Sequence, residues 1–232
     1  MRRAAGALAV TVVLAALARG AAAQPRGART RVEGVAAWVG GTGRGSGATP
    51  ILRSDVELRA RMAIAGQTGR ITRVVLPEGL LAATLRQLVG EVLIEREADR
   101  LRAEVPSEEA IERARARLAE ESGGVAVLGQ LTEALGVSAR ELEAIARRRA
   151  YVEAFLRANL EGNTVVSDSQ VERAFEAGEH PFVGRDLDEV REVMRVWLAR
   201  QVYDRDVARW IEVLHNRARV RILAEWSEGD DG

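Results

Sequence analysis

Few side chains in this sequence could do covalent chemistry. The 232 residues include no cysteine and two histidines, His180 and His215, and every one of the 34 basic residues is arginine. Without lysine there is no amine for a Schiff base, and without cysteine there is no thiolate nucleophile and no disulfide. Two isolated histidines make a poor zinc set, and His215 falls near a helix end, where it suits the negative pole of the helix dipole. No G-x-S-x-G elbow presents a serine nucleophile. The run G-G-T-G-R-G-S-G over 40–47 has the glycine content of a phosphate loop. It lacks the lysine that would reach the phosphates, and the A-T-P-I that follows reads as extended, not as a helix start. Acidic residues alternate with arginine at helical spacing, which reads as a solvated face with each pair worth tenths of a kcal/mol. The residues point to a protein with no catalytic site, no cofactor and no metal.

What remains is apolar recognition. Trp38 falls in a predicted strand, Trp197 and Trp210 on the last long helix, read as lying on neighbouring faces, and Trp226 beyond the last strand. Core packing is the first reading of such residues. The functional reading is a groove for extended polypeptide, to which aromatic and methionine side chains bring large, adaptable surface. Trp38, Met62, Phe155 and Trp210 are the client-binding candidates.

The ends and the charge set the context. Met1-Arg2-Arg3, an apolar run over 4–18 and Ala21-Ala22-Ala23 read as a secretory signal peptide over 1–23, with the mature chain starting near Gln24. The apolar run is shorter than the ~20 residues of a spanning helix, so no stable membrane insertion is expected after cleavage. Removing Arg2, Arg3 and Arg19 leaves 31 basic against 34 acidic residues, a net charge near −3. Such a balance offers nothing to a polyphosphate backbone, so nucleic acid is not an expected partner.

The elements that must position the candidates are legible from spacing and caps. A strand is expected over 32–39 and a short return at Ile51-Leu52. Helix starts are expected at Ser54, Ser107, Ser138 and Ser167, where a Ser hydroxyl and an acidic or Gln side chain three residues on, or carboxylates in the first turn, satisfy free backbone N–H groups. Gly136, Gly162 and Gly178 are expected C-caps. Apolar residues spaced by 3 and 4 predict helices over about 79–103 and 187–216, and the alternation of Arg219-Val220-Arg221-Ile222-Leu223 predicts a final half-buried strand. The fold expected is mainly α: a single multi-helix domain with a small β element formed by the N-terminal hairpin and the C-terminal strand.

The order of these segments resembles the periplasmic SurA chaperone family. The resemblance lies in Val35-Ala36-Ala37-Trp38-Val39, then Ile51-Leu52-Arg53-Ser54-Asp55-Val56-Glu57. It continues in Leu88-Val89-Gly90-Glu91-Val92-Leu93-Ile94-Glu95-Arg96-Glu97-Ala98, in Val105-Pro106-Ser107-Glu108-Glu109-Ala110-Ile111, and in Leu135-Gly136-Val137-Ser138. Val165-Val166-Ser167-Asp168-Ser169-Gln170-Val171 resembles the run before the family's first parvulin domain, and the segment from Leu187 to Leu223 resembles its last helix and strand. The resemblance implies a chaperone module over 32–178, a linker over 179–186 in place of the parvulin domain, a helix and strand over 187–224 folded back on the module, and an acidic tail over 225–232. Residues 24–31 are expected to be disordered. Nine residues, 178–186, cannot hold a parvulin domain, so no isomerase activity of its own is expected. The resemblance implies an ATP-independent periplasmic chaperone for unfolded or extended polypeptides, outer-membrane protein precursors above all. The alternatives are a helical adaptor docking one folded envelope partner, or a protein that works with a separate isomerase subunit.

Overall fold

The computed structural model describes residues 34–40, 47–160 and 165–227. The expected signal peptide, the N-terminus over 24–31, most of the glycine-rich turn, Gly162 and the end of the acidic tail lie outside the described residues. Among the described residues there are seven α-helices and three strands, so the chain is mainly α with a small β element. β1 (Val35–Val39) and β2 (Thr49–Leu52) lead directly into α1 (Arg53–Thr68). α2 (Glu78–Arg100), α3 (Glu108–Glu121), α4 (Val125–Leu135), α5 (Ala139–Leu160), α6 (Asp168–Ala177) and α7 (Leu187–Arg217) follow, and β3 (Val220–Ile222) and a single 3-10 turn (Glu225–Ser227) end the fold.

Three of the four expected caps form. The Ser107 hydroxyl accepts the Ala110 N–H at 3.2 Å. Ser138 and Ser167 form reciprocal boxes with Glu141 and Gln170, whose side chains accept the Ser138 and Ser167 N–H groups at 2.7 and 2.8 Å. Gly136 and Gly178 take the left-handed conformation with φ +67° and +74°. The start of α1 differs from its expectation. With Leu52 rather than Ser54 as the cap, the helix begins two residues earlier than expected, at Arg53, and the Asp55 carboxylate accepts the Leu52 N–H at 3.0 Å. The carboxylate, a stronger acceptor than a hydroxyl, sets the register, and Ser54 lies inside the first turn.

The sheet runs in the order β2-β1-β3, antiparallel throughout. Its inner face, with Ala37, Val39 and Ile51, joins Leu85, Leu88, Val92 and Leu93 of α2, Phe155 and Leu156 of α5, and Leu214 of α7 in the largest core cluster. A second cluster joins Leu58 and Met62 of α1 to Leu118 of α3 and Leu128 and Leu131 of α4. A third, small cluster seals α3 against α5 through Ile111, Ala114, Ala146 and Ala150. Val166, Val171 and Met194 form a fourth, confined to α6, its flanks and the start of α7.

Much of the charge pattern is not a solvated face, as its spacing suggested, but an interhelical seam. Arg59 of α1 donates to Glu91 of α2 at 2.6 Å, with the two side chains only 10% and 17% exposed. Burial pushes the Arg59 guanidinium down from its usual pKa, against the upward pull of Glu91. α5 joins its neighbours through Arg149–Glu121 at 2.6 Å, Arg148–Glu95 at 2.8 Å, and the pairs Arg117–Glu153 and Arg115–Glu143. Burial raises the Glu95 carboxyl above its usual range while Arg148 pulls it down. Stranding one member of a buried pair costs about 3–5 kcal/mol, a figure only Arg59–Glu91 approaches; the more exposed pairs on α5 are each worth less than about 1 kcal/mol.

α1 and α3 approach at backbone distance. A Cβ at Gly66 would lie 1.9 Å from the Glu121 carbonyl oxygen. Gly66→Ala gains about 1 kcal/mol in helix propensity, yet the obstacle is backbone and can yield only by moving a helix, at a cost of about 1–3 kcal/mol or more. A net loss of stability is therefore expected in urea unfolding, and a stabilised variant would show that the two helices do not meet at this point.

Candidate functional site

The four candidate side chains do not share a surface. Met62 is buried in the cluster of α1, α3 and α4, and Phe155 is buried in the main core. Trp210 is half-buried and packs on Phe155, ring centroids 5.2 Å apart and planes tilted by 37°. Phe155 and Trp210 thus meet, with Phe155 as floor and Trp210 as the accessible ring. Trp38 points the other way. It is 37% exposed, between the fully buried Ala37 and Val39, because alternate residues of a strand face opposite sides of the sheet.

Around Trp38 the outer face of the sheet is built by register. Its cross-strand partners are Pro50 on β2 and Arg221 on β3. Pro50 occupies one edge strand, where its missing N–H blunts further pairing. Trp38 therefore lies in register between a proline and an arginine and is 37% exposed.

The long helix α7 carries three of the exposed large apolar residues, Val193, Val196 and Val213. Of its 31 residues only Val190, Met194 and Leu214 are buried. At 100° per residue, Leu187, Val190, Met194 and Leu198 form one stripe, and Tyr203, Val207, Trp210 and Leu214 another, roughly 175° away around the axis. The first faces α6 and the second faces the main core. Val193 and Val196 continue the second stripe by steps of 3 and 4 toward the N-terminus of α7. There the core no longer covers it, and they are 55% and 69% exposed. Arg200, between Val196 and Tyr203, is held on Asp204 at 2.8 Å. Burial raises the Tyr203 phenol above its usual pKa, so this ring stays neutral and serves as apolar surface. Trp197 and Trp210, read from the sequence as near neighbours on the helix, lie about 140° apart. Trp197 meets Phe182 edge-on at 6.5 Å, and Trp210 meets Phe155.

His180 is engaged by backbone, with its Nδ1 accepting the Phe182 N–H at 3.1 Å and its Nε2 3.2 Å from the Phe175 carbonyl. It stacks on Phe175, centroids 4.9 Å apart. Among the described residues no three His, Asp or Glu side chains converge as a metal would need, and no helix is long and apolar enough to cross a membrane. The arrangement can bury apolar side chains along α7 and pair backbone along a sheet edge. Sequence reasoning missed Val193 and Val196, which looked like ordinary members of an apolar run, and the two arginines of β3. Compared with known proteins, the chain matches no family model and no curated protein.

The placements give the aromatic residues different weights in stability. Phe155→Ala is expected to cost about 3–5 kcal/mol, while Trp38→Thr, a β-branched residue on the exposed face of a strand, should stay within about 1 kcal/mol. Urea titration of both variants checks this, and equal losses would contradict the placement of Trp38.

Proposed function

We propose that this chain is an ATP-independent chaperone that holds unfolded polypeptides, outer-membrane protein precursors among them, in the periplasm. The observation that carries the reading is the stripe of α7 that runs from the core out past it, ending in exposed Val193 and Val196. The way α7 is held leaves these positions bare, but packing does not require apolar side chains at them. A client side chain laid on that stripe gains about 25 cal/mol for each Å² of apolar surface removed from water, without directional constraints. Contacts of this kind accept many sequences and release them without a nucleotide cycle. The half-buried Trp210 and Tyr203 lie further along the same stripe, and the edge of β3 adds backbone pairing.

The segment order resembling the SurA family supports the same function, and the signal-like pattern over 1–23 supports the compartment. The connection between α6 and α7, residues 178–186, is too short for a parvulin domain, so the chaperone would act without isomerase activity of its own.

Light scattering of a urea-unfolded outer-membrane barrel protein on dilution tests this reading. The purified chain at near-equimolar amounts should suppress aggregation of that client and of an unrelated unfolded protein. The double variant Val193→Asp, Val196→Asp, altered only at exposed positions that fold without them, should lose most of the effect. Failure of the wild-type chain to suppress either client would overturn the proposal and favour an adaptor for one folded partner.

A further inference from the structure

The free edge of β3 has a chemistry of its own. Leu223 donates to the Ala36 carbonyl at 2.8 Å and Gly40 donates to the Arg219 carbonyl at 2.9 Å. With Trp38 opposite Arg221 in register, the hydrogen-bonded pairs of this antiparallel ladder are 36 with 223, 38 with 221 and 40 with 219. Val220 and Ile222 lie at the intervening positions, so their N–H and C=O groups point away from β1. β3 is the outer strand of the sheet, and among the described residues nothing pairs with those groups. The opposite edge carries Pro50, whereas β3 carries no proline.

The side chains of β3 alternate in a way that selects what could pair there. Arg219 and Arg221 are exposed and make no ion pair among the described residues, whereas Arg59, Arg117 and Arg149 of the helical module each meet a glutamate on a neighbouring helix. Arg221 shares the outer face with Trp38, while Val220 and Ile222 lie on the inner face opposite Val39 and Ala37, with Ile222 still exposed.

We propose that β3 accepts an extended segment of a client polypeptide as a fourth strand, and that the segment alternates carboxylate and apolar side chains. The outward backbone groups of Val220 and Ile222 pair with any extended main chain. Carboxylates of the added strand fall on the outer face beside Arg219 and Arg221, and its apolar side chains fall beside Ile222. A second copy of this chain does not fit the edge, because pairing β3 with β3 sets arginine against arginine, an unfavourable cross-strand pair. This inference rests on the chaperone reading but adds a selectivity that reading does not require.

Fluorescence anisotropy of short dye-labelled peptides with the full chain tests it. A peptide alternating valine and glutamate should bind about tenfold or more tightly than one alternating valine and lysine, the equivalent of one good charged contact. Val220→Pro removes an outward donor without removing a bond to β1, and should abolish the binding. Arg219→Glu with Arg221→Glu should reverse the preference in favour of the lysine peptide, a gain that a misfolded variant could not produce. Equal binding of the two peptides, an unchanged preference in the double arginine variant, or a β3-dependent dimer in sedimentation would each overturn the proposal. Aggregation suppression without peptide selectivity removes this inference and leaves the chaperone reading standing. Peptide selectivity without suppression does the reverse.

Discussion

The structure depends on β1 being paired on both sides. Its partner β2 is a hairpin neighbour, but β3 arrives after seven helices and is held by Leu223 and Ala224 on the Ala36 carbonyl and by Gly40 on the Arg219 carbonyl. These bonds bring together parts of the chain separated by nearly the whole described sequence. Closing so long a loop is entropically unfavourable, and the offset comes from the core beneath. Ala37, Val39 and Ile51 cannot be buried unless α2, α5 and the end of α7 cover them. The sheet and the helices that cover it therefore form together.

That closure determines what α7 can do. Its C-terminal half is fixed by Tyr203, Val207, Trp210 and Leu214 against the core, and its N-terminal half is clasped on the opposite face by α6. A straight helix about 46 Å long, gripped on opposite sides at its two ends, must leave part of its core-facing side bare. The exposure of Val193 and Val196 follows from this geometry. Close approach elsewhere keeps the frame stiff, as where Gly66 meets the Glu121 carbonyl and Gly90 faces the Ile211 side chain.

Sequence was a good guide wherever structure is local. Serine caps, left-handed glycines and 3–4 spacing each depend on a few adjacent residues, and Ser107, Ser138, Ser167, Gly136 and Gly178 act as their types suggest. The start of α1 was misplaced by two residues because two acceptors, Ser54 and Asp55, competed and only geometry ranks them. Tertiary pairing was less legible. Arg149 has Glu153 four residues on along its own helix, yet it reaches Glu121 on α3, and no spacing rule separates the two outcomes. The candidate residues divided in the same way. Phe155 and Trp210 were brought together, while Met62 and Trp38 went to a different core and to the opposite face of the sheet. The alternation of Arg219-Val220-Arg221-Ile222 identified a strand, but the arginines on one face carry meaning only once β3 is known to be an edge.

Native-state amide hydrogen exchange at two adjacent residues tests the central claim most directly, that β3 is locked to β1 on one side and open on the other. The Leu223 amide, bonded to Ala36, should exchange only through global unfolding, with the same free energy as amides in the middle of α2. The Ile222 amide, facing the free edge, should exchange close to the rate of an unprotected amide. Fast exchange at Leu223 while α2 stays protected, or slow exchange at Ile222, would contradict the account.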